Sequence, residues 1–451
     1  MRSLSIGSQT TSIFSLIILV GCYCLFLFPV EILFWWLFTI IGFIFLRSKM
    51  HTSRNLFRFL LVYLLSVFFL GIYTFITHSI TVLNPGQDIF LTPDSVYFNE
   101  VGRNVGSNSW NNFIPYIIGQ FLYSDYYLFS FILGVIYKID AIFGGTDPVL
   151  LTKLLNSIVG ALTIGFIFLC VNLNQKIPIK SIIWFLLFSP IFENSVVLMR
   201  DIYVCFFYAW IFYYVLIPHK KYRHIKILLL CLLSMLIRPE NGLFALCFLL
   251  IRPIINTTYY SKSKKALMII FFIIIGTISC IYILPKAYNV MIFYQLRDLS
   301  LASTSSFGAM LRTLPLPFNI VLPAIFSQMM PFPLWFNLLR PYGGELTILS
   351  IFSSFYWISI WGIIIYCCWC NWAKLISQKK IIIGGLFIAF LYIIMTTYGE
   401  INVRRIMGIY PIVFIVYCNI KYYVKFEKRI YIERFLTFMI VILNILYFVI
   451  R

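Results

Sequence analysis

Apolar runs of nearly membrane-crossing length recur along the chain, and they restrict its possible folds more than any other feature. A helix needs about 20 apolar residues to cross a bilayer, and in lipid only helices and closed barrels satisfy their backbone polar groups. We read about 13 spans by that criterion. They lie near residues 12–28, 31–46, 57–77, 149–171, 181–192, 202–217, 226–238, 243–257, 266–284, 346–369, 381–398, 406–420 and 432–450. The sequence therefore predicts an all-α, polytopic integral membrane helical bundle of about 12–13 transmembrane helices.

The balance of residue types agrees with a membrane protein and argues against a soluble one. Hydrophobic residues make up 61% of the chain and charged residues 11%, whereas soluble domains are about half apolar and a quarter charged. A net charge of +20 would indicate a nucleic-acid partner in a soluble protein. Here the basic residues concentrate in short loops between spans, so the positive-inside rule accounts for them and puts the N-terminus in the cytoplasm. We therefore predict no nucleic-acid partner.

The predicted spans divide the chain into five segments. These are N-terminal transmembrane helices (1–77), an outer loop with interfacial helices (78–148), a transmembrane core (149–284), an outer loop rich in proline and aromatic residues (285–345) and C-terminal transmembrane helices (346–451). Within the first outer loop, the apolar stretch 126–143 is short and is interrupted by Lys138 and Asp140. We expect a helix there that lies at the membrane surface.

Acidic residues are distributed asymmetrically across the predicted membrane. The chain has 15 Asp and Glu, and only Glu427 and Glu433 fall on the predicted inner side. Acids are costly near a bilayer and orientation does not require them. Their concentration on the outer side therefore predicts a functional site there.

The first outer loop supplies a candidate general base. Asp94 follows a proline, and Tyr97 and Glu100 come three and six residues after it. Asp94 and Tyr97 would share one face of a helix. A helix N-cap explains Asp94 without any function, whereas the functional interpretation is a carboxylate that takes a proton from an acceptor hydroxyl.

Three further groups of charged residues lie where spans meet the outer surface. They are Arg200 with Asp201, Arg238 with Glu240, and Glu400 with Arg404 and Arg405. Guanidinium groups suit bidentate contact with phosphate, so these arginines are candidate phosphate ligands. Ion pairing with the neighbouring acids is the structural alternative, and at Arg200 so is an interfacial anchor.

Motifs for other chemistries are missing from the sequence. It contains no P-loop, dinucleotide fingerprint, metalloprotease motif or nucleophile elbow. Three of the four histidines lie in predicted inner loops, and only His78 is on the outer side. That distribution argues against histidine-based catalysis or a histidine-rich metal site outside. No cofactor is predicted, and a requirement for a divalent metal stays open.

The order of these groups resembles the GT-C superfamily of membrane glycosyltransferases, which includes protein O-mannosyltransferases and the aminoarabinose transferase of lipid A. An acidic residue and a tyrosine in the first outer loop match the start of that pattern. The stretch 147–163, which contains Leu154-Leu155-Asn156-Ser157 and Gly160-Ala161-Leu162-Thr163, is similar to the second conserved helix of the superfamily. Ser189-Pro190 followed by Leu198-Met199-Arg200-Asp201 resembles the next signature, and Arg238-Pro239 and Arg404-Arg405 match later, looser positions.

The resemblance covers roughly residues 85–255 and, more loosely, 380–420. Two features depart from it. Three spans precede the acidic loop here, where many relatives have one. The loop also lacks the paired Asp-Glu that several relatives carry, which puts the identity of the base in doubt.

The resemblance implies a function and assigns roles. Such enzymes transfer a sugar from a polyprenyl-phosphate carrier to a glycan or lipid acceptor at the periplasmic face of the bacterial inner membrane, in cell-surface polysaccharide or lipopolysaccharide synthesis. It implies that Asp94 is the catalytic base and Asp201 a supporting acid. The substrate-binding residues would be Tyr97, Glu100, Arg200, Arg238, Glu240, Arg404 and Arg405.

Two other functions compete with this one. An O-antigen polymerase also has about a dozen spans and a large late outer loop, as at 285–345, and it would transfer a whole repeat unit between undecaprenyl-diphosphate carriers. A lipid-linked oligosaccharide flippase belongs to a different class. A transporter should place ionisable residues near the bilayer midplane, whereas here they gather at one face.

Overall fold

The computed structural model describes residues 29–50, 56–83, 93–109, 127–173, 178–217, 222–255, 317–328, 344–397 and 406–450, together with residues 112, 270, 311, 314 and 315. Every regular element within these residues is helical. The predicted spans 12–28 and 266–284 lie outside them, as does most of the outer loop 285–345.

The described residues are mainly helical. The α-helices are α1 (Pro29–Arg47), α2 (Leu56–Leu83), α3 (Pro93–Ser107), α4 (Tyr127–Ile142), α5 (Pro148–Asn172), α6 (Ile179–Leu187), α7 (Pro190–Ser195), α8 (Asp201–Leu216), α9 (Arg223–Ile237), α10 (Pro239–Ile255), α11 (Phe318–Ser327), α12 (Gly344–Gln378), α13 (Lys380–Thr397), α14 (Tyr410–Ile420) and α15 (Phe426–Ile450). Two 3-10 turns, Met407–Ile409 and Lys421–Tyr423, flank α14.

Six helical stretches in the described residues are long and apolar enough to cross a membrane. They are Val30–Arg47, Leu56–Ser79, Pro148–Asn172, Ile351–Gln378, Lys380–Thr397 and Phe426–Val449. Asp201–Leu216 is apolar but shorter. The chain is therefore a multi-pass, all-α membrane protein, as the sequence predicts. The exact number of spans and the GT-C arrangement stay predictions.

The helices follow most predicted spans but differ from two of them. The expected span 181–192 is two short helices, α6 and α7, which are separated by Phe188 and Ser189. Pro190 causes the break, because proline has no N–H to donate and disfavours a helical conformation in the residue before it. The expected span 346–369 is the longer α12, which has 35 residues and non-helical backbone angles at Asn371.

The helices group into two compact units. The first unit contains Met1–Phe168, Ile179–Leu186 and Ile191–Phe206, and the second contains Leu169–Pro178, Leu187–Pro190 and Phe207–Arg451.

Close packing of α3 on α4 organises part of the first unit. A Cβ atom on Gly102 or Gly106 of α3 would lie only 2.8 or 2.7 Å from side-chain atoms of Tyr137 on α4. Small residues four positions apart allow two helices to approach closely. The Tyr137 hydroxyl also donates a 2.6 Å hydrogen bond to Asn99 Oδ1. These contacts fix the helix that carries Asp94.

In the second unit, α9 packs on α10, α13 packs on α10 and α14, and α12 packs on α14 and α15. Trp357 of α12 is buried, and its ring lies 4.1 Å from that of Tyr410 between centroids. By contrast, only 11% of the α15 span is buried. Its apolar side chains therefore form an outward face of the kind that lipid covers.

Candidate functional site

The predicted general base lies at the start of α3. Pro93 is the first residue of that helix and Asp94 the second, a position where proline fits because the first turn has no intrahelical N–H partners. Tyr97 is 44% exposed and Glu100 is also exposed. Ser95, Phe98 and Asn99 are buried. The predicted substrate-binding residues of α3 therefore occupy its outward face, and its other face packs into the first unit.

A short non-helical segment, Val196–Arg200, joins α7 to α8 and leads into the Arg200-Asp201 pair. The Ser95 hydroxyl donates a 3.2 Å hydrogen bond to the Leu198 carbonyl. The guanidinium carbon of Arg200 lies 5.8 Å from the centroid of the Phe98 ring, within reach of a cation–π interaction. The structure therefore brings together two groups of residues that the sequence singles out separately.

Asn156 of α5 holds the same segment from the other side. Its Nδ2 atom donates to the Val197 carbonyl at 2.7 Å and to the Met199 carbonyl at 3.1 Å. Asn156 is fully buried. Buried carbonyls outside a helix need hydrogen-bond donors. The Asn156 amide group donates to two such carbonyls. Asn156 has no role assigned from the sequence, although an amide inside an apolar span is itself a sign of one.

Asp201 is the first residue of α8 and is 6% exposed. A carboxylate at this position is stabilised by the helix dipole and by the N–H groups of the first turn. The Tyr203 N–H donates to the Arg200 carbonyl at 3.0 Å, so Arg200 is fixed directly before the helix. Helix stabilisation is thus one role of Asp201, whatever chemistry it performs.

Arg238 and Glu240 lie in the second unit. Arg238 is half-buried and extended between α9 and α10, and its carbonyl accepts from the N–H groups of Asn241 and Gly242 at 3.1 and 3.2 Å. Two buried tyrosines hold this turn. Tyr208 donates to the Asn241 carbonyl at 2.7 Å, and Tyr392 donates to Asn241 Oδ1 at 2.6 Å.

These two tyrosines and Asn241 are residues that sequence reasoning missed. The signal would have been polar groups inside apolar helices, which need partners. Glu400, Arg404 and Arg405 lie outside the described residues.

A second polar cluster in the first unit was not expected. We call it the acid cluster, and it consists of Glu31, His78, Asp140, Asp147 and Lys153. His78 Nε2 lies 2.6 Å from Asp147 Oδ2, and Lys153 Nζ lies 3.5 Å from His78 Nδ1. Each ring nitrogen of His78 therefore has a polar neighbour, and its donor or acceptor role depends on the tautomer.

Two carboxylates of the acid cluster, those of Glu31 and Asp147, bind backbone N–H groups at the start of α5. Asp147 Oδ1 accepts from the Leu150 N–H at 2.9 Å, so Asp147 is the N-cap of the helix. Glu31 Oε1 accepts from the N–H groups of Thr146 and Asp147, each at 2.9 Å. The sequence places the three acids of this cluster and His78 on the predicted outer side, but it does not indicate the contacts of His78. Its partner is 69 positions away, and no sequence pattern signals that pairing.

The two aspartates of the cluster have opposite pKa shifts. Burial raises the pKa of Asp147, but the hydrogen bond and charge of His78 and the Leu150 N–H outweigh it, so the net pKa is below the usual value. Burial, followed by the charges of Glu31 and Asp147, raises the pKa of Asp140 to about 7. Asp140 therefore binds a proton near neutral pH, and Asp147 stays ionised.

Comparisons with known proteins add no assignment to this geometry. No family model, curated protein or solved structure matches the chain. Within the described residues, no group of three or more His, Cys, Asp or Glu side chains is arranged to hold a metal ion.

Proposed function

We propose that this chain is a membrane glycosyltransferase that takes its sugar from a polyprenyl-phosphate carrier at the outer face of a bacterial inner membrane. The product would be a glycan or lipid of the cell surface. One observation carries the proposal. The hydrogen bond from Ser95 to Leu198 joins the helix of Asp94 to the segment of Arg200 and Asp201 across 103 positions of sequence.

The chemistry divides between these residues. Asp94 takes the proton from the acceptor hydroxyl, whose oxygen forms the new glycosidic bond to the anomeric carbon of the sugar. The bond between that carbon and the carrier phosphate breaks, and the phosphate leaves with the electron pair. Arg200 stabilises the charge that develops on the phosphate. The exposed side chains Tyr97 and Glu100 bind the acceptor, and Asp201 helps to orient Arg200.

Arg238, Glu240, Arg404 and Arg405 complete the proposed assignment as further substrate-binding residues. The arginines of this set would contact the phosphate or the sugar. Their proposed roles rest on the resemblance of the sequence, and each is testable by the same assay as Arg200.

The experiment uses a strain in which the natural gene is deleted and then complemented with variants expressed at normal levels. Asp94→Asn removes the base while keeping the shape of the side chain. We expect at least about a hundredfold loss of glycan product, the lower range for removal of a general base. Arg200→Lys keeps the charge but loses the planar fork, and it should lose product while Asp94 is intact. Product is measured by gel profile and by mass spectrometry of the surface glycan.

Arg103→Gln is the matched control, because Arg103 is an exposed charge on the same helix. It should leave the glycan unchanged. Full glycan synthesis by Asp94→Asn would overturn the assignment of the base. The deletion strain separates the two enzyme classes. A complete polymer that lacks one sugar indicates a single-sugar transferase, and a core that carries one repeat unit indicates a polymerase.

A further inference from the structure

One end of the second unit gathers basic and aromatic side chains from two distant parts of the sequence. We call it the basic end and define it by residues 366–380 of α12 and α13 and residues 417–431 of α14, the following turn and α15. Its basic residues are Lys374, Lys379, Lys380, Lys421, Lys425, Lys428 and Arg429. Its large exposed rings include Trp369, which is 87% exposed, and Trp372, Tyr422, Phe426 and Tyr431.

Direct contacts join the two parts. Tyr423 donates a 2.8 Å hydrogen bond to Gln378 Oε1, and the ammonium of Lys374 lies 5.2 Å from the centroid of the Tyr423 ring. Lys428 Nζ lies 6.0 Å from the centroid of Tyr366 and 3.3 Å from its hydroxyl oxygen. These contacts bring cations of both parts together at one place.

Aromatic rings also surround the remaining cations. Lys421 is only 6% exposed, and its ammonium lies 5.2 and 5.4 Å from the ring centroids of Tyr417 and Tyr422. The guanidinium of Arg429 lies 5.4 Å from the Phe426 ring. Its Nε atom is buried and has no hydrogen-bond acceptor among the described residues.

These cations form no close ion pair with an acid of the described residues. In the described part of the second unit, no carboxylate oxygen lies within 4.0 Å of Lys374, Lys421, Lys428 or Arg429. Two acids are nearby in sequence. Glu427 is exposed, and Glu433 follows Arg429 by one helical turn. Neither forms an ion pair within that distance, although Glu433 interacts electrostatically with Arg429. The basic end keeps an excess of positive charge that an external anion can offset.

The expected position of the basic end in a bilayer indicates which kind of anion can reach it. Three helical stretches that can cross a membrane, Ile351–Gln378, Lys380–Thr397 and Phe426–Val449, end or begin there. The ends of crossing helices lie at the level of the lipid headgroups. Exposed tryptophan and tyrosine are typical of that layer, and clustered Lys and Arg beside it attract anionic lipids.

We propose that the basic end is a binding site for the phosphate groups of anionic phospholipids, formed by Lys374, Lys421, Lys428 and Arg429. The rings hold these cations in place before the lipid arrives, so little side-chain freedom is lost on binding. The site is independent of the proposed glycosyltransferase function, because none of its residues takes part in that chemistry.

The test counts lipids that stay bound to the purified protein. The full-length chain is reconstituted in a mixture of phosphatidylglycerol and phosphatidylcholine, extracted in a neutral detergent, and analysed by native mass spectrometry. We expect the wild-type protein to retain phosphatidylglycerol preferentially. The variant Lys374→Gln/Lys428→Gln replaces two exposed side chains and should not disturb folding. Each neutralised cation should lower the phosphatidylglycerol affinity about fivefold, from about 1 kcal/mol per basic residue near an anionic surface.

The control variant is Lys180→Gln/Lys226→Gln. Both lysines are exposed and each lies over one ring, that of Trp184 or Tyr214, at 6.0 and 5.8 Å. They match the test residues in chemistry but lie outside the basic end. Phosphatidylglycerol retention should be unchanged in this control. Equal losses in both variants, or no preference for phosphatidylglycerol in the wild type, would overturn the proposal and leave the lysines with a purely topological role.

Discussion

The acid cluster of the first unit and the basic end of the second unit differ in the partners of their ionisable groups. In the acid cluster, His78 and Asp147 pair at 2.6 Å, and backbone N–H groups at the start of α5 bind the carboxylates. In the basic end, Lys421 and Arg429 face aromatic rings and form no close ion pair with an acid of the described residues. Charges with internal partners contribute to folding, whereas charges without them are available to bind an external ion.

This difference distinguishes charged residues that stabilise the fold from charged residues that can bind a ligand. Both clusters contain ionisable groups at the ends of apolar helices, so position alone does not distinguish them. The partners do distinguish them. We therefore expect mutations in the acid cluster to change stability and mutations in the basic end to change lipid binding.

The largest expected effect comes from Asp147→Asn. Asparagine still caps a helix, so this change removes the charge that faces His78 and leaves the cap. Breaking a buried pair from one side costs about 3 kcal/mol at the lower end of the usual range, and Asp147 is 21% exposed. The free energy of unfolding in detergent should fall by that amount. Asp147→Ala should lose about 1 kcal/mol more, since it also removes the cap.

A double-mutant cycle tests whether the pair is responsible. His78→Gln combined with Asp147→Asn should cost little more than either change alone, because each breaks the same interaction. Additive losses would contradict the comparison and would show that the two residues act separately.

A smaller effect is expected from Asn156→Ala in the same unit. This change removes one donor from each of the buried carbonyls of Val197 and Met199, and the Val197 carbonyl still accepts from the Met199 N–H at 2.8 Å. Each lost hydrogen bond costs about 0.5–1.5 kcal/mol. The unfolding midpoint should fall, though by less than with Asp147→Ala. Ser157→Ala is the neighbouring control, since Ser157 bonds only within its own helix, to the Leu154 carbonyl. A loss as small as that of the control would show that Asn156 does not hold the segment.

Asp140 should respond to pH in the opposite direction to Asp147. Burial and the charges of Glu31 and Asp147 raise the pKa of Asp140 to about 7. The folded state thus binds a proton more tightly than the unfolded state, and stability falls as pH rises from about 4 to 7. Asp140→Asn should remove this fall and leave the variant more stable than the wild type at pH 8. The pKa of Asp147 is lowered, so its contribution is lost only as pH falls below about 4.

Unfolding curves at several pH values check this prediction. The wild type and Asp140→Asn should coincide at about pH 4 and diverge progressively as pH rises to about 7. Parallel curves would show that Asp140 does not change its protonation on folding.

The sequence predicts the helices well because apolar length and proline positions are local features. It predicts the helix at 126–143, but it treats 181–192 as one span and so misses the break before Pro190. It also identifies Asp94, Arg200 and Asp201 as candidate site residues, because a charged residue beside an apolar run can be recognised from the sequence alone.

The partners of these residues are not visible in the sequence. Asn156 reaches Val197 over 41 positions, and Tyr392 reaches Asn241 over 151. Such contacts depend on how helices pack, and hydrophobic periodicity does not encode them when a helix is apolar on all sides. For the same reason, the sequence shows Lys374 and Lys421 only as separate inner charges and not as parts of one cluster.

The smallest effect on stability is expected from Lys374→Gln/Lys428→Gln in neutral detergent. Both side chains are exposed, and neither has a carboxylate partner among the described residues. Surface substitutions of this kind change the free energy of unfolding by about 0.5 kcal/mol or less. Adding phosphatidylglycerol should stabilise the wild type more than this variant, because a ligand that binds only the folded state raises its stability. The stabilisation should weaken in high salt, where exposed charges are screened. If the variant instead lost as much stability without lipid as Asp147→Asn does, the cations of the basic end would belong to an internal network, and the contrast between the two clusters would fail.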